Sequence, residues 1–280
     1  MNAEIQARAE LASLVHFSYS RTPRGGSSEV AVNRDRGFSL IELLISIAIV
    51  AVLLSILLPG LSYARRLSSS AVCASNLRQI GMAWDGYSAD PRNQGEAPRA
   101  ASEPAWRYGG VSFRGTERVA VLDSERPINR YLADDAALDS KSMSQLFRCP
   151  GDAGVFARGA GNGTTRSSIL SRETCYQTFG TSYRANEAVI EVPVEDGTGL
   201  MRPLKSHEVY VSASRLLLLG DTAWYYGTRS AGHPDASFEA SWHGKPDAGN
   251  MLAADGSVRF ETFVRDARST FTTMPRPDRE

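Results

Sequence analysis

Residues 38–58 read FSLIELLISIAIVAVLLSILL, 21 residues with Glu42 as their one charge. A helix of that length rises ~30 Å at ~1.5 Å per residue, the thickness of a bilayer's hydrocarbon core. Core helices of soluble proteins seldom run so far without a polar break, so the pattern reads as a membrane helix. The run exceeds the apolar region of a secretory signal peptide, and no small-x-small cleavage site follows it. Instead, Arg34 and Arg36 precede Gly37 at its start. A carboxylate inside such a helix costs about 2.5–3.5 kcal/mol on insertion scales, which makes Glu42 a functional candidate.

Arg36-Gly37-Phe38-Ser39-Leu40-Ile41-Glu42 resembles the processing site of type IV prepilins and type II secretion pseudopilins. In that family a membrane peptidase cuts after the glycine and methylates the new amino terminus. The resemblance implies cleavage between Gly37 and Phe38, N-methylation of Phe38, and Glu42 as the fifth mature residue. A buried carboxylate needs a partner, and the Phe38 ammonium of a neighbouring subunit supplies one. Pro59 matches a helix-softening proline found in many members. The competing reading is an uncleaved signal anchor with Glu42 neutral or snorkelling. A 37-residue leader is long for the family, and a non-AUG start at Val32 leaves a six-residue one.

Beyond the membrane, Cys73, Leu77, Ile80, Trp84 and Tyr87 recur at helical spacing. One long helix is therefore expected from Phe38 to about Ser88, with a kink allowed at Pro59-Gly60 and an end at Asp90-Pro91. Its second half should pack on a globular domain. Residues 90–140 read as loops with short apolar pieces at 106–111 and 118–122. Residues 144–150 approach a proline turn. Residues 159–165 read as a glycine loop, without the strand and helix that a nucleotide-binding loop needs. Residues 215–221 read as a fully buried strand, and 250–260 as a hairpin on a two-residue Asp255-Gly256 turn with positive backbone angles. The fold class is α+β, a long N-terminal helix on a head with an antiparallel sheet. Its divisions are a leader (1–37), a membrane part (38–59), a helical continuation (60–90), the head (91–265) and a flexible tail (266–280).

A second resemblance covers residues 36–262, to a planctomycete-type subgroup of pilin-like proteins named for a histidine, nine residues, then Asp-Gly. Cys73-Ala74-Ser75-Asn76-Leu77-Arg78-Gln79-Ile80-Gly81 is similar to its helix motif. Phe147-Arg148-Cys149-Pro150-Gly151-Asp152 resembles its Cys-Pro segment, and Thr181-Ser182-Tyr183-Arg184-Ala185-Asn186 its Ser-Tyr-x-x-Asn element. Trp242-His243-Gly244, Gly249-Asn250 and Ala254-Asp255-Gly256 resemble its end. Eleven residues rather than nine separate His243 from Asp255, an insertion near Lys245-Pro246-Asp247 that should lengthen a loop. The signature residues here are His243, Asp255 and Gly256.

Three cysteines are too few for a disulfide-built scaffold, and one bridge among them forms in three ways. The two within family motifs are Cys73 and Cys149, the candidates for a disulfide. Asp221, His243 and Asp255 are weak candidates for calcium, set against a plain reading in which His243 bonds a loop and Asp255 makes its turn. The plain reading is favoured, with no metal or other cofactor. His207 and His233 read as surface residues, and Trp224-Tyr225-Tyr226 as core aromatics rather than a contact patch. With 31 basic and 31 acidic residues, the chain has no excess charge for gripping nucleic acid. Neither GxSxG nor GxxxxGK[ST] occurs, and no enzymatic activity is expected.

The function these readings imply is a structural subunit of a type IV pilus or type II secretion-like filament. Its partners are a prepilin peptidase/N-methyltransferase, other pilin or pseudopilin subunits and the inner membrane. The anchor is single-pass, with the head in the periplasm or outside the cell. The alternatives are an anchored binding protein that never polymerises and an anchored metal-dependent enzyme.

Overall fold

A computed structural model describes residues 39–99, 105–114, 119–123, 125–132, 141–157, 174–194, 198, 200–229, 238–240, 242–263 and 271–275. Two units divide the chain, Met1–Leu53 and Leu54–Glu280. Helix α1, Leu40–Ala89, runs unbroken through Pro59. Its first residues, from 40 to 58, are all exposed, including Leu40, Leu44, Ile49 and Leu57. By length and composition α1 is the one helix among the described residues able to cross a membrane. Exposed leucine and isoleucine on every side of a helix suits lipid or a protein partner as its surroundings.

Within the second unit the character of α1 changes. Cys73, Leu77, Ile80, Ala83 and Trp84 are buried while Ser75, Arg78, Gln79 and Met82 between them are exposed, the amphipathic stripe expected from their spacing. Gly81 brings the helix close to the sheet: a Cβ there would sit 2.9 Å from Leu252 Cδ2. The helix stops at Ala89. Asp90 turns to an extended conformation before Pro91, and its carboxylate accepts from the Arg92 N–H at 2.9 Å.

The main sheet is antiparallel, in the order β10-β9-β7-β4. Strand β4 is Tyr183–Ala185, β7 is Leu217–Asp221, β9 is Ala248–Ala253 and β10 is Val258–Thr262. The two central strands, β7 and β9, are buried at every residue, so neither shows period-two alternation. At the edge, β10 points Arg259 outward beside Glu261, which opposes pairing with another chain. The architecture is α+β.

Smaller elements complete the head. Strands β1 (Val111–Arg114) and β2 (Val119–Leu122) form a hairpin where only loops with short apolar pieces were expected. Buried Asn129 clamps the start of this hairpin, accepting from Gly110 N–H at 3.0 Å and donating to the Gly110 and Asp123 carbonyls. Such a tertiary clamp leaves no periodic trace. The remainder comprises α2 (Lys141–Leu146), β3 (Phe156–Ala157), α3 (Cys175–Phe179), α4 (Glu187–Ile190), β5 (Val192–Pro193), β6 (Met201–Arg202), α5 (Ala223–Thr228) and β8 (Phe238–Glu239). In α5, Trp224, Tyr225 and Tyr226 are buried. The Tyr225 ring lies between the Arg184 and Arg229 guanidiniums, at 3.4 and 3.7 Å from its centroid.

Two expectations need correction. The hairpin connection is not a two-residue turn. Gly256 N–H donates to Ala253 O and Ala253 N–H to Ser257 O, so Ala254, Asp255 and Gly256 form a three-residue loop. Only Gly256 has positive φ, at 78°, as in a turn closed by a left-handed glycine. The second correction concerns the tail, because residues 271–275 are anchored to the head. Leu217 N–H donates to Thr272 O, Thr272 N–H to Arg215 O, and Asn186 Nδ2 to Thr273 O. Phe271 is buried against Phe263, an apolar anchor overshadowed by the prolines and charges after it.

Candidate functional site

Two regions carry chemistry, one in each unit. In the first, Gly37 and Phe38 lie outside the described residues, as do Arg34 and Arg36. Ser39 and Glu42 are described, and they form a reciprocal cap. Ser39 Oγ accepts from Ile41 N–H at 3.3 Å, while Ser39 N–H donates to Glu42 Oε2 at 2.9 Å. This S-x-x-E arrangement satisfies amide donors that the first helical turn leaves unpaired. Glu42 therefore caps the helix within a single chain, a role that the Ser-x-x-Glu spacing signals and that was not anticipated.

In the second unit, β7 ends at Asp221, whose side chain is 0% exposed. Asp221 Oδ2 accepts from the N–H and Nδ2 of Asn250, at 2.7 and 3.0 Å. Gly249 permits this approach, since a Cβ there would lie 2.8 Å from Asp221 Cβ. The turn before β9 holds His243 in a left-handed conformation, φ 54°, which His tolerates better than most residues. Its ring is 1% exposed, and Nε2 sits 3.3 Å from both Asp221 Oδ2 and Cys149 Sγ. Lys245, Pro246 and Asp247 lie in this same turn, ahead of an intact β9–β10 hairpin.

Cys149 is joined to Cys73 of α1 by a disulfide, and Cys175 is free and buried. Gly151 gives the imidazole its berth: a Cβ there would fall 2.6 Å from His243 Cε1. Its N–H donates to Cys149 Sγ at 3.3 Å. One residue on, the Asp152 carboxylate gathers Gly154 N–H, Cys175 N–H, Tyr176 N–H and Ser182 Oγ at 2.7–3.0 Å. Burial pushes the Asp152 carboxyl above its ordinary range, opposed by these donors. Burial also raises the Cys175 thiol and the Tyr183 phenol, the latter with help from the Asp221 charge.

Cys73, Cys149, Asp221 and His243 thus converge from α1, the Cys-Pro turn, β7 and the turn before β9, their ligand atoms all within 4.8 Å of one another. Asp255 does not join them. Strand β9 runs three residues past Asn250, about 10 Å, and Asp255 lies beyond it in the loop that closes the hairpin. There it is exposed and accepts from Ser257 N–H and Oγ at 2.9 and 2.6 Å. The triad of weak calcium candidates is therefore split. His207 is exposed, and His233 lies outside the described residues. Sequence reading missed Asp152, Gly151 and Asn250 as site residues, although each sits within a motif already noted.

Residues 32–58 match the family described as the prokaryotic N-terminal methylation motif.

That match spans the Gly37-Phe38 junction, Glu42 and the apolar part of α1, and it supports a prepilin-like precursor. The motif implies processing by a prepilin peptidase and association with a membrane, and with the single apolar helix it is consistent with a single-pass anchor. No curated protein and no solved structure matches the chain.

Proposed function

We propose that the chain is cut between Gly37 and Phe38, N-methylated on Phe38, and assembled as a structural subunit of a type IV pilus or type II secretion-like filament. The observation carrying this reading is the methylation motif over residues 32–58, whose helical part from Leu40 onward is exposed on all its faces. An exposed apolar helix suits storage in a bilayer and later burial among other helices. Glu42, which caps its own helix, is then available to the methylated ammonium of a neighbouring subunit. The partners are the peptidase, other pilin-like subunits and the inner membrane, with the head in the periplasm or outside the cell.

The head's role in this proposal is structural, and it assigns no catalytic residue. A relay triad needs the two imidazole nitrogens to face different partners. In this head one nitrogen, Nε2, faces both Cys149 and Asp221. The proposal also places the head in the subgroup ending in a histidine, nine residues and Asp-Gly. What supports this is the gathering of its motif residues: Cys149, His243 and Asn250 meet at Asp221, while Asp255-Gly256 closes the neighbouring hairpin.

Mass spectrometry of the mature chain tests the processing step. N-methyl-phenylalanine at the terminus is expected, and a bulky replacement at Gly37 should leave the leader attached. Recovery of an intact amino terminus from cells with an active peptidase refutes it. Glu42→Ala tests assembly: it should be cleaved and inserted normally yet be absent from sheared filaments. Normal filaments of that variant would remove Glu42 from the assembly step.

A further inference from the structure

We propose that the reduced head binds a thiophilic divalent cation of the zinc class through Cys73, Cys149, His243 and Asp221, so that disulfide and metal are alternative occupants of one buried site. A tetrahedral ion bound at ~2.0–2.3 Å holds its ligand atoms about 3.3–3.8 Å apart. His243 Nε2 already stands 3.3 Å from Cys149 Sγ and from Asp221 Oδ2, and all four ligand atoms fall within 4.8 Å of one another. Opening the sulfur–sulfur bond separates the two sulfurs in the direction this geometry requires.

The chemistry of the donors selects the ion. Two thiolates and an imidazole are soft or borderline ligands, which suit zinc and not calcium. The disulfide form also leaves buried polar atoms without hydrogen-bond partners among the described residues. These include Asp221 Oδ1 and His243 Nδ1, and both side chains are almost fully buried. A cation bound beside Asp221 gives its buried charge a counter-charge. The reduced ligand set carries three negative charges, and Arg66 and Lys245 line an adjoining cleft of about 270 Å³ that reaches His243.

The exchange balances as follows. A dithiol reductant delivers two electrons and two protons, breaking the bond between Cys73 and Cys149 and becoming a disulfide itself. The cation then displaces the two thiol protons and bonds to the thiolates. In the reverse direction a disulfide oxidant accepts two electrons from the thiolates and is split into two thiols with two protons from solvent, while the bond between Cys73 and Cys149 re-forms and the cation is released.

The test uses the full-length chain in detergent micelles. Because both sulfurs are buried, the chain is unfolded, reduced with a phosphine, and refolded without oxygen in the presence of equimolar cobalt(II). A thiolate-to-cobalt charge-transfer band is expected, together with loss of that band on adding zinc. The oxidised chain should show none. Cys149→Ser should abolish the band, and His243→Asn, which keeps the left-handed backbone accessible, should weaken cobalt affinity at least about tenfold. Refolding of the reduced chain only when zinc is present, followed by circular dichroism, is equally an expected result. A reduced, folded chain without the band overturns the proposal. So does a band of undiminished affinity in His243→Asn, or a reduced chain that stays unfolded with zinc and without it.

Discussion

Replacing both Cys73 and Cys149 by alanine should lower the stability of the head severely, because the bond joins residues 76 apart. In the chain-entropy account, closing a loop of that length in the unfolded chain contributes about 4.5 kcal/mol. For a unit of this size each kcal/mol moves the midpoint of thermal unfolding by about 2–4 °C, so a fall of roughly 9–18 °C is expected. The bond also staples the amphipathic part of α1 to the Cys-Pro turn, so amide exchange across residues 70–89 should accelerate with the same substitutions. Scanning calorimetry of the full-length chain in detergent reads the first effect and hydrogen-exchange mass spectrometry the second. Titration of thiols in denaturant without reductant provides the control, since the wild-type chain should show one reactive thiol, that of Cys175. Three reactive thiols, or a midpoint within about 3 °C of wild type, would falsify the reasoning.

Three further outcomes are expected. Gly256→Val should cost more than about 1 kcal/mol through backbone strain alone, because φ is 78° and no atom of the described residues lies within 4 Å of the added Cβ. Thermal unfolding measures it, and a neutral result means that the turn rearranges freely. Gly151→Ala should cost about 1–3 kcal/mol by overpacking, since its methyl meets the buried His243 ring at 2.6 Å, and an unchanged midpoint would show the ring free to move. Asp255 governs a pH dependence: the Ser257 hydroxyl and N–H hold its carboxyl below the usual range. Its stabilisation is present above the unfolded value near 3.9 and lost as pH falls through the lower folded value. Asp255→Asn should therefore flatten the acid limb of midpoint against pH, and an unaltered limb refutes the assignment. Asp152, whose folded value is raised, acts in the opposite sense, with its contribution lost as pH rises above the unfolded value.

The apolar run at 38–58, the stripe on α1, the buried strand β7 and the β9–β10 hairpin were all legible in the chain itself. Each is a local pattern: a length, a period or a turn residue between neighbouring strands. The methylation motif was equally legible, because a peptidase reads a short contiguous segment. Sequence alone left three ways to pair the cysteines and grouped Asp255 with Asp221 and His243 as oxygen and nitrogen ligands on loops expected to converge. The structure joins Cys73 to Cys149 and carries Asp255 away to the loop at the far end of β9. It also brings His243 against Gly151, 92 positions earlier, through the packing of its turn beside the Cys-Pro segment. Contacts of that kind follow from sheet order and from where a missing Cβ lets two segments meet. Neither is a periodic property, so only the folded chain decides which side chains share the buried site.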